Sequence, residues 1–173
     1  MILGISGKAG SGKDTIANII KELHSGTVIL HFGDALKDIV SRAFNIVRET
    51  LDSQEGKKEI YPYLGITNRE ILQRVGTLFR ENFFENIWIN NVMNQIDNPN
   101  GIYIIPDVRY PEELKAIQSI GGVIIRVERP GINKMTHHSE TALDNYPFEY
   151  IVNNDRTIND LSNKIKDLWK KLH

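Results

Sequence analysis

Apolar residues recur along this chain in two rhythms. Five short stretches, 2–6, 28–32, 102–105, 123–127 and 150–152, are apolar almost without interruption. That is the pattern of strands covered on both faces. Between them, apolar positions return every three to four residues, as on one side of a helix. Residues 13–23 carry Ile16, Ile19, Ile20 and Leu23 in this way. The next such segment carries Leu36, Ile39, Val40, Ala43 and Phe44, with Asp34 as its expected cap. A third carries Ile71, Leu72, Val75, Leu78 and Phe79 behind Asn68, read as its cap, and a fourth is expected over 84–96. Pro111 opens a helix bearing Leu114, Ile117 and Ile120. The last helix carries Ile158, Leu161, Ile165, Leu168, Trp169 and Leu172.

Strands alternating with helices predict an α/β fold with a largely parallel sheet. Two stretches break the rhythm. Residues 50–67 are polar and punctuated by Gly56, Pro62 and Gly65, and read as a mobile insertion with little regular structure. Residues 129–147 read as a second irregular flap. No repeat, low-complexity tract or linker interrupts the 173 residues, so a single domain is expected.

Composition narrows the function classes. Lysine plus arginine number 21 against 22 acidic residues, for a net charge of −1. No basic track points to nucleic acid and no polybasic run to a membrane surface. Cysteine is absent, which removes disulfides and thiolate metal sites. The apolar opening MILGIS is too short for a signal peptide and lacks a basic leader. The expectation is a soluble cytoplasmic protein, in the host's cytoplasm if the chain is viral.

The first strand runs into GKAGSGKDT, that is Gly7, Lys8, Ala9, Gly10, Ser11, Gly12, Lys13, Asp14 and Thr15. Gly7, Gly12 and Lys13 keep the phosphate-loop spacing, in which backbone N–H groups and a helix N-terminus surround phosphate oxygens and the lysine reaches the outer ones. The usual hydroxyl after the lysine is displaced: Asp14 stands there and Thr15 follows. A helix-dipole role for Asp14 is worth about 0.3–1 kcal/mol. Repulsion from one phosphate charge at about 4 Å costs roughly 4 kcal/mol at an effective dielectric of 20. Asp14 therefore needs a compensating cation or the acceptor group, and Mg²⁺ held with Thr15 and Asp107 is the natural cation.

The segment YIIPDVRYP places Asp107 and Arg109 after the third long strand, where open α/β sheets bind ligands. Asp107 suits Mg²⁺ or its waters, and Arg109 can hold a phosphate bidentately. A plain Asp–Arg ion pair is the bland alternative. Arg69, Arg126 and Arg129 stand at element edges, where they can stabilise a transferring phosphoryl group or be ordinary surface residues. His137, His138 and Glu140 invite a metal reading, but adjacent histidines point apart and no third ligand has convincing spacing, so a loop role is favoured.

These residues together resemble the deoxynucleoside monophosphate kinases of tailed bacteriophages, within the P-loop nucleoside monophosphate kinases. The resemblance runs nearly end to end and in order: SGKDT at 11–15, Lys37-Asp38, Arg69 with Leu72-Gln73 and Gly76-Thr77, IPDVR at 105–109, RPG at 129–131, Thr136-His137 with Glu140, and Asn154-Asp155. It implies a five-stranded parallel sheet flanked by helices, with a monophosphate-binding region over about 50–100 and a lid over about 129–147. It implies transfer of the ATP γ-phosphoryl group to a deoxynucleoside monophosphate, with Mg²⁺. Residues 7–15 would bind ATP phosphates, and Asn154 and Asp155 would lie by its base or ribose. Arg69 and Arg109 would hold the acceptor phosphate. Gln73 would read a base edge, Lys37, Asp107 and Glu140 would also serve the acceptor, and Arg129 would act from the lid. Lys13, Asp14, Arg109 and Arg129 form the expected catalytic set. A homodimer stays open.

Other readings remain at this point: another small-metabolite kinase such as a phosphomevalonate kinase, a ribonucleotide kinase, a GTP switch, or a non-enzymatic nucleotide binder. A switch calls for N-K-x-D, whereas Asn133-Lys134-Met135-Thr136 lacks the aspartate. The arginines at strand and loop ends disfavour a mere binder.

Overall fold

The computed structural model describes residues 1–132 and 138–172. In chain order these form β1 (Ile2–Gly7), α1 (Lys13–Leu23), β2 (Val28–Ile29), α2 (Asp34–Phe44), α3 (Arg48–Asp52), a 3₁₀ turn (Gly56–Lys58), β3 (Ile60–Tyr61), β4 (Ile66–Thr67), α4 (Asn68–Asn82) and α5 (Ile87–Met93). Then follow β5 (Tyr103–Val108), α6 (Pro111–Ser119), β6 (Val123–Glu128), α7 (His138–Thr141), β7 (Tyr150–Asn153) and α8 (Ile158–Lys171). The chain divides into two compact units, residues 1–31 with 96–173, and residues 32–95.

The first unit holds a five-stranded sheet of order β2-β5-β1-β6-β7, with every neighbouring pair parallel. Alternation along β1 sorts its faces. Leu3 and Ile5 pack with Ile104, Ile125 and Val127 under Ile16 and Ile20 of α1 and Leu161, Ile165 and Trp169 of α8. Gly4 faces the other way, where a Cβ would meet Ile124 Cδ1 at 2.5 Å and Ile117 Cδ1 of α6 at 2.9 Å. Helices therefore cover both faces, and the fully buried isoleucines each contribute about 1.5–3 kcal/mol. The connection after β1 runs through α1 to one side, and that after β5 runs through α6 to the other. This divergence makes the carboxyl ends of β1 and β5 the topological switch point of the sheet.

β5 runs further than its apolar stretch. It passes through Pro106 and Asp107 to Val108, although proline cannot donate to a ladder. The register explains it: Gly4 pairs with Ile105 but Ser6 with Val108, so one residue of β1 stands opposite Pro106 and Asp107. A bulge absorbs the missing N–H and re-aims the strand end. β2 is shorter than 28–32, although the Leu30 N–H still donates to the Ile104 carbonyl at 2.9 Å.

The second unit centres on Val40, Leu51 and Ile71, lined by Leu36, Phe44, Ile46, Tyr61, Ile66, Leu72 and Val75. The polar stretch 50–67 is not structureless. It contains the end of α3, the 3₁₀ turn and a β3–β4 antiparallel hairpin, and Leu51 is fully buried. Its elements are too short to show a period, which is why sequence pattern misses them. Two expected caps are also displaced. Asp34 is the first residue of α2, behind Gly33, and its carboxylate pairs with Lys37 and Arg48 instead. Thr67, not Asn68, caps α4: its hydroxyl accepts from the Glu70 N–H at 3.2 Å while Glu70 accepts from the Thr67 N–H at 2.8 Å. The Asn68 amide is buried and donates to the Gly56 carbonyl at 2.9 Å. The helix expected over 84–96 is confined to Ile87–Met93, and Leu78 and Ile39 are exposed despite their periodic spacing.

Charge joins α2 to α3. Arg48 donates to Asp38 at 2.8 Å, Asp52 at 2.5 Å and Asp34 at 2.8 Å, and Lys37 reaches Asp52 at 2.8 Å and Asp34 at 3.3 Å. Burial alone would raise the Asp52 carboxyl, but hydrogen bonds from Arg48 and Lys37 outweigh it and lower it to about 2. No helix among the described residues is long and apolar enough to cross a membrane.

The 3₁₀ turn gives a direct test. A Cβ on Gly56 would lie 2.2 Å from the Thr50 carbonyl oxygen and 2.7 Å from Ser53 Oγ. Gly56→Ala must displace backbone and is expected to cost about 1–3 kcal/mol, seen as a lower denaturant midpoint by circular dichroism. An unchanged midpoint would mean that the turn relaxes freely.

Candidate functional site

The cradle forms because β1 ends at Gly7 and α1 begins at Lys13, leaving five residues to turn the chain. Gly12 adopts φ +100° immediately before the helix, a conformation that glycine takes without strain. No side chain caps α1, so its first-turn N–H groups remain available to an anion. Asn154, just past β7, braces the loop from outside. Its amide donates to the Ser11 carbonyl at 2.8 Å and lies 2.5 Å from where a Cβ on Gly12 would sit. Arg129 Nη1 makes a long contact of 3.4 Å to the Gly10 carbonyl.

Lys13 is buried, and its ammonium donates to the Gly7 carbonyl at 2.7 Å and the Lys8 carbonyl at 2.8 Å. Burial, followed by repulsion from Arg109, lowers its pKa from 10.5 to about 8, while Glu140, Asp14 and Asp107 pull the other way. Those four charged groups thus all act on Lys13 at the switch point. Arg109 comes from the residue after β5. Its backbone N–H is held by the buried Glu113 carboxylate at 2.7 Å, which also accepts from the Tyr110 N–H at 3.0 Å and so tethers the entry to α6. Its guanidinium pairs through Nη1 with Glu140 Oε1. Burial opposes the Arg109 charge, but Glu140 and then Asp107 outweigh that and raise its pKa. Burial likewise raises the Glu140 carboxyl, yet Arg109 and the Ala9 N–H outweigh it and hold it below the usual range.

The segment after residue 137 is fastened onto the cradle. Glu140 Oε2 accepts from the Ala9 N–H at 2.9 Å, and Lys8 Nζ donates to the Glu140 carbonyl at 2.5 Å and to Asp144 Oδ1 at 2.5 Å. Arg126, on β6, reaches Ser6 Oγ at 3.2 Å and Asp144 at 3.3 Å, with its guanidinium 5.4 Å from the Phe148 ring centre. Asp144 escapes sequence reading because it lies in an aperiodic polar stretch, and only the fold brings it to Lys8.

The structure therefore brings together residues 7–15, Asp107, Arg109, Arg129, Glu140 and Asn154. Asp155 is spent on Lys164, at 2.9 Å on the surface. Lys37, Arg69 and Gln73 belong to the second unit. There Lys37 is ion-paired as described, Arg69 donates to Gln54 at 2.8 Å, and Gln73 is half-buried on α4. Thr136 and His137 lie outside the described residues. Among the described residues, no three His, Cys, Asp or Glu side chains gather closely enough to hold a metal ion unaided. Asp14, Thr15 and Asp107 are oxygen donors only, which suits Mg²⁺, a cation that keeps waters and shares its shell with phosphates.

Comparison with known proteins adds a family. The family model for deoxynucleotide monophosphate kinase matches residues 65–165. A protein of Acanthamoeba polyphaga mimivirus, provisionally named for that activity, is 29% identical over 95% of this chain and 94% of its own length. The deoxynucleotide monophosphate kinase of Enterobacteria phage T4 is 28% identical over 82% of this chain, which spans 58% of that protein. In fold, the chain resembles a dephospho-CoA kinase from Campylobacter jejuni, with TM-score 0.56, 13% identity and coverage of 99% and 96%. A protein from Thermus thermophilus gives TM-score 0.54, 16% identity and coverage of 100% and 98%.

The lowered Lys13 value has a defined consequence. Its folded-state pKa lies below the unfolded 10.5, so the protonated amine opposes folding, and this group adds stability as pH rises from about 8 towards 10.5. In protein carrying ¹³C-methylated lysines, the Lys13 signal, assigned by its absence in Lys13→Arg, should titrate near pH 8. A midpoint near 10.5 would contradict the burial described.

Proposed function

The chain belongs to the deoxynucleotide monophosphate kinase family, and from that membership we propose that it transfers the γ-phosphoryl group of ATP to a deoxynucleoside monophosphate, yielding ADP and the deoxynucleoside diphosphate. The observation that carries this reading is the meeting of an anion cradle, a buried lysine and an oriented arginine at one switch point. Residues 7–15 surround the ATP phosphates, with backbone N–H groups as donors and Lys13 as the charge. On nucleotide binding, Lys13 exchanges its two backbone carbonyls for phosphate oxygens.

Glu140 takes one edge of the Arg109 guanidinium, and the Nη2 and Nε side remains to grip the acceptor phosphate bidentately. An acceptor phosphate oxygen attacks the γ-phosphorus, the bond to the bridging oxygen breaks, and its electron pair leaves with ADP. The attacking phosphate is already an anion, so no side chain need remove a proton. The protein's work is positioning and charge stabilisation. Mg²⁺, when bound, neutralises charge on the phosphates, and Asp14, Thr15 and Asp107 are the residues to hold it or its waters. Arg129 stabilises transferring charge from the segment 129–147, which acts as the lid. Asn154 keeps the cradle in shape, and the place of Asn154 and Asp155 by the ATP base or ribose comes from the resemblance alone. Lys37, Arg69 and Gln73 receive acceptor-binding roles from the resemblance alone, within an acceptor-side region of about 50–100.

The deciding experiment follows ATP consumption across the ribo- and deoxyribonucleoside monophosphates, with phosphomevalonate alongside. Turnover is expected with at least one deoxynucleoside monophosphate. Turnover with phosphomevalonate alone would overturn the reading. Lys13→Ala should keep its circular dichroism spectrum and lose about 10²-fold or more in rate. Near-normal activity in that folded variant would remove Lys13 from the mechanism.

Asp14→Asn keeps shape and removes charge. If Asp14 serves the cation, the variant should need several-fold more Mg²⁺ for half-maximal rate and bind metal-free ATP as well or better. An unchanged Mg²⁺ requirement with a lower kcat would assign Asp14 to the acceptor instead. No change in either would leave it a helix-end residue.

A further inference from the structure

Glu140 is a buried carboxylate whose two oxygens serve different parts of the site. Its side chain is 3% exposed. Oε2 accepts from the backbone N–H of Ala9, inside the cradle, and Oε1 accepts from Arg109 Nη1. Its own backbone is pinned as well: Lys8 Nζ donates to the Glu140 carbonyl at 2.5 Å, and Leu143, one turn further on, is 3% exposed. The carboxylate is therefore fixed at both ends before any ligand arrives.

A carboxylate so placed makes a poor ligand for a phosphate, because like charges repel and both its oxygens already accept hydrogen bonds. It makes a good clamp for a guanidinium. Arg109 needs one, since an arginine side chain has many rotamers and only one places its fork for bidentate contact. Glu113 holds the Arg109 backbone N–H, whereas the hydrogen bond to Glu140 falls on the guanidinium itself. The Glu140 contact fixes the guanidinium relative to the cradle itself, because the same carboxylate is bonded to Ala9.

Taking Arg109 as the acceptor-phosphate residue proposed above, we infer that Glu140 is a positioning residue that bridges the phosphate cradle to Arg109 and sets the distance between the donor and acceptor phosphates. It touches neither substrate. Its effect falls on acceptor binding and on the alignment of the two phosphates, and only weakly on ATP.

The test uses the full chain with Glu140→Gln, which keeps an acceptor for Ala9 and loses the charge clamping Arg109. Asp144→Asn serves as comparator, since it releases Lys8 in the same segment without touching Arg109. Acceptor KM should rise about tenfold or more in Glu140→Gln with ATP KM within about threefold, whereas in Asp144→Asn acceptor KM should stay within about threefold. Glu140→Gln added to Arg109→Lys should cost nothing further, because the two residues act as one unit. Losses that multiply, or a rise in ATP KM alone, would overturn the inference.

A second arm needs no turnover. In protein labelled with [¹⁵N]arginine, the Nη resonances of Arg109, assigned by their absence in Arg109→Lys, should be resolved through hindered rotation. They should collapse in Glu140→Gln and persist in Asp144→Asn. Resonances unchanged in a folded Glu140→Gln variant would refute the clamp. If the wild-type chain phosphorylates no monophosphate, the proposed function fails and this arm still decides the bridge.

Discussion

Lys13 and Arg109 place two cations at one end of a sheet, and holding both there is the constraint on which the site in the first unit depends. Each also loses hydration there. Glu140 offsets their mutual repulsion by lying between the cradle and Arg109, and the backbone carbonyls of Gly7 and Lys8 hold the lysine. Removing a partner from such a buried set leaves an uncompensated charge, which is costlier than the pair is worth.

The sheet makes that arrangement possible. β1 lies between β5 and β6, its connection leaves to one side while that of β5 leaves to the other, and the divergence opens the switch point. The bulge at Pro106 shifts the end of β5 by a residue and so sets where Asp107 and Arg109 emerge. Glu113, at the start of α6, then holds the backbone at Arg109. Each of these is a local device with a long-range effect on one guanidinium.

The second unit relies on a different balance. Arg48 collects three carboxylates and Lys37 two, joining α2 to α3 above a small apolar centre. These side chains are partly exposed, and pairs of that kind are worth about 0.2–1 kcal/mol each. The burial of Val40, Leu51 and Ile71 carries more of the stability, and the ion pairs select which faces of the helices meet.

Much of this was legible in the sequence because it is periodic or contiguous. The five strands of the parallel sheet, α1, α6 and α8 follow from apolar spacing, and the cradle from glycines and a lysine whose roles depend on neighbours in the chain. The capping box of Thr67 with Glu70 is a local motif that the sequence carries, although the cap was read at Asn68. Residues 50–67 were not, because a 3₁₀ turn and two-residue strands have no period to detect. The pairings between distant residues at the site were not legible either. Glu140 lies 31 residues beyond Arg109, and Asp144 lies 136 beyond Lys8. The amino-acid sequence by itself determined the phosphate-loop spacing of Gly7, Gly12 and Lys13 and the strand end that carries Arg109. Tertiary structure alone decided which of them are clamped together, because a hydrogen bond between distant residues depends on where the strands and helices carry them and leaves no mark on the local pattern.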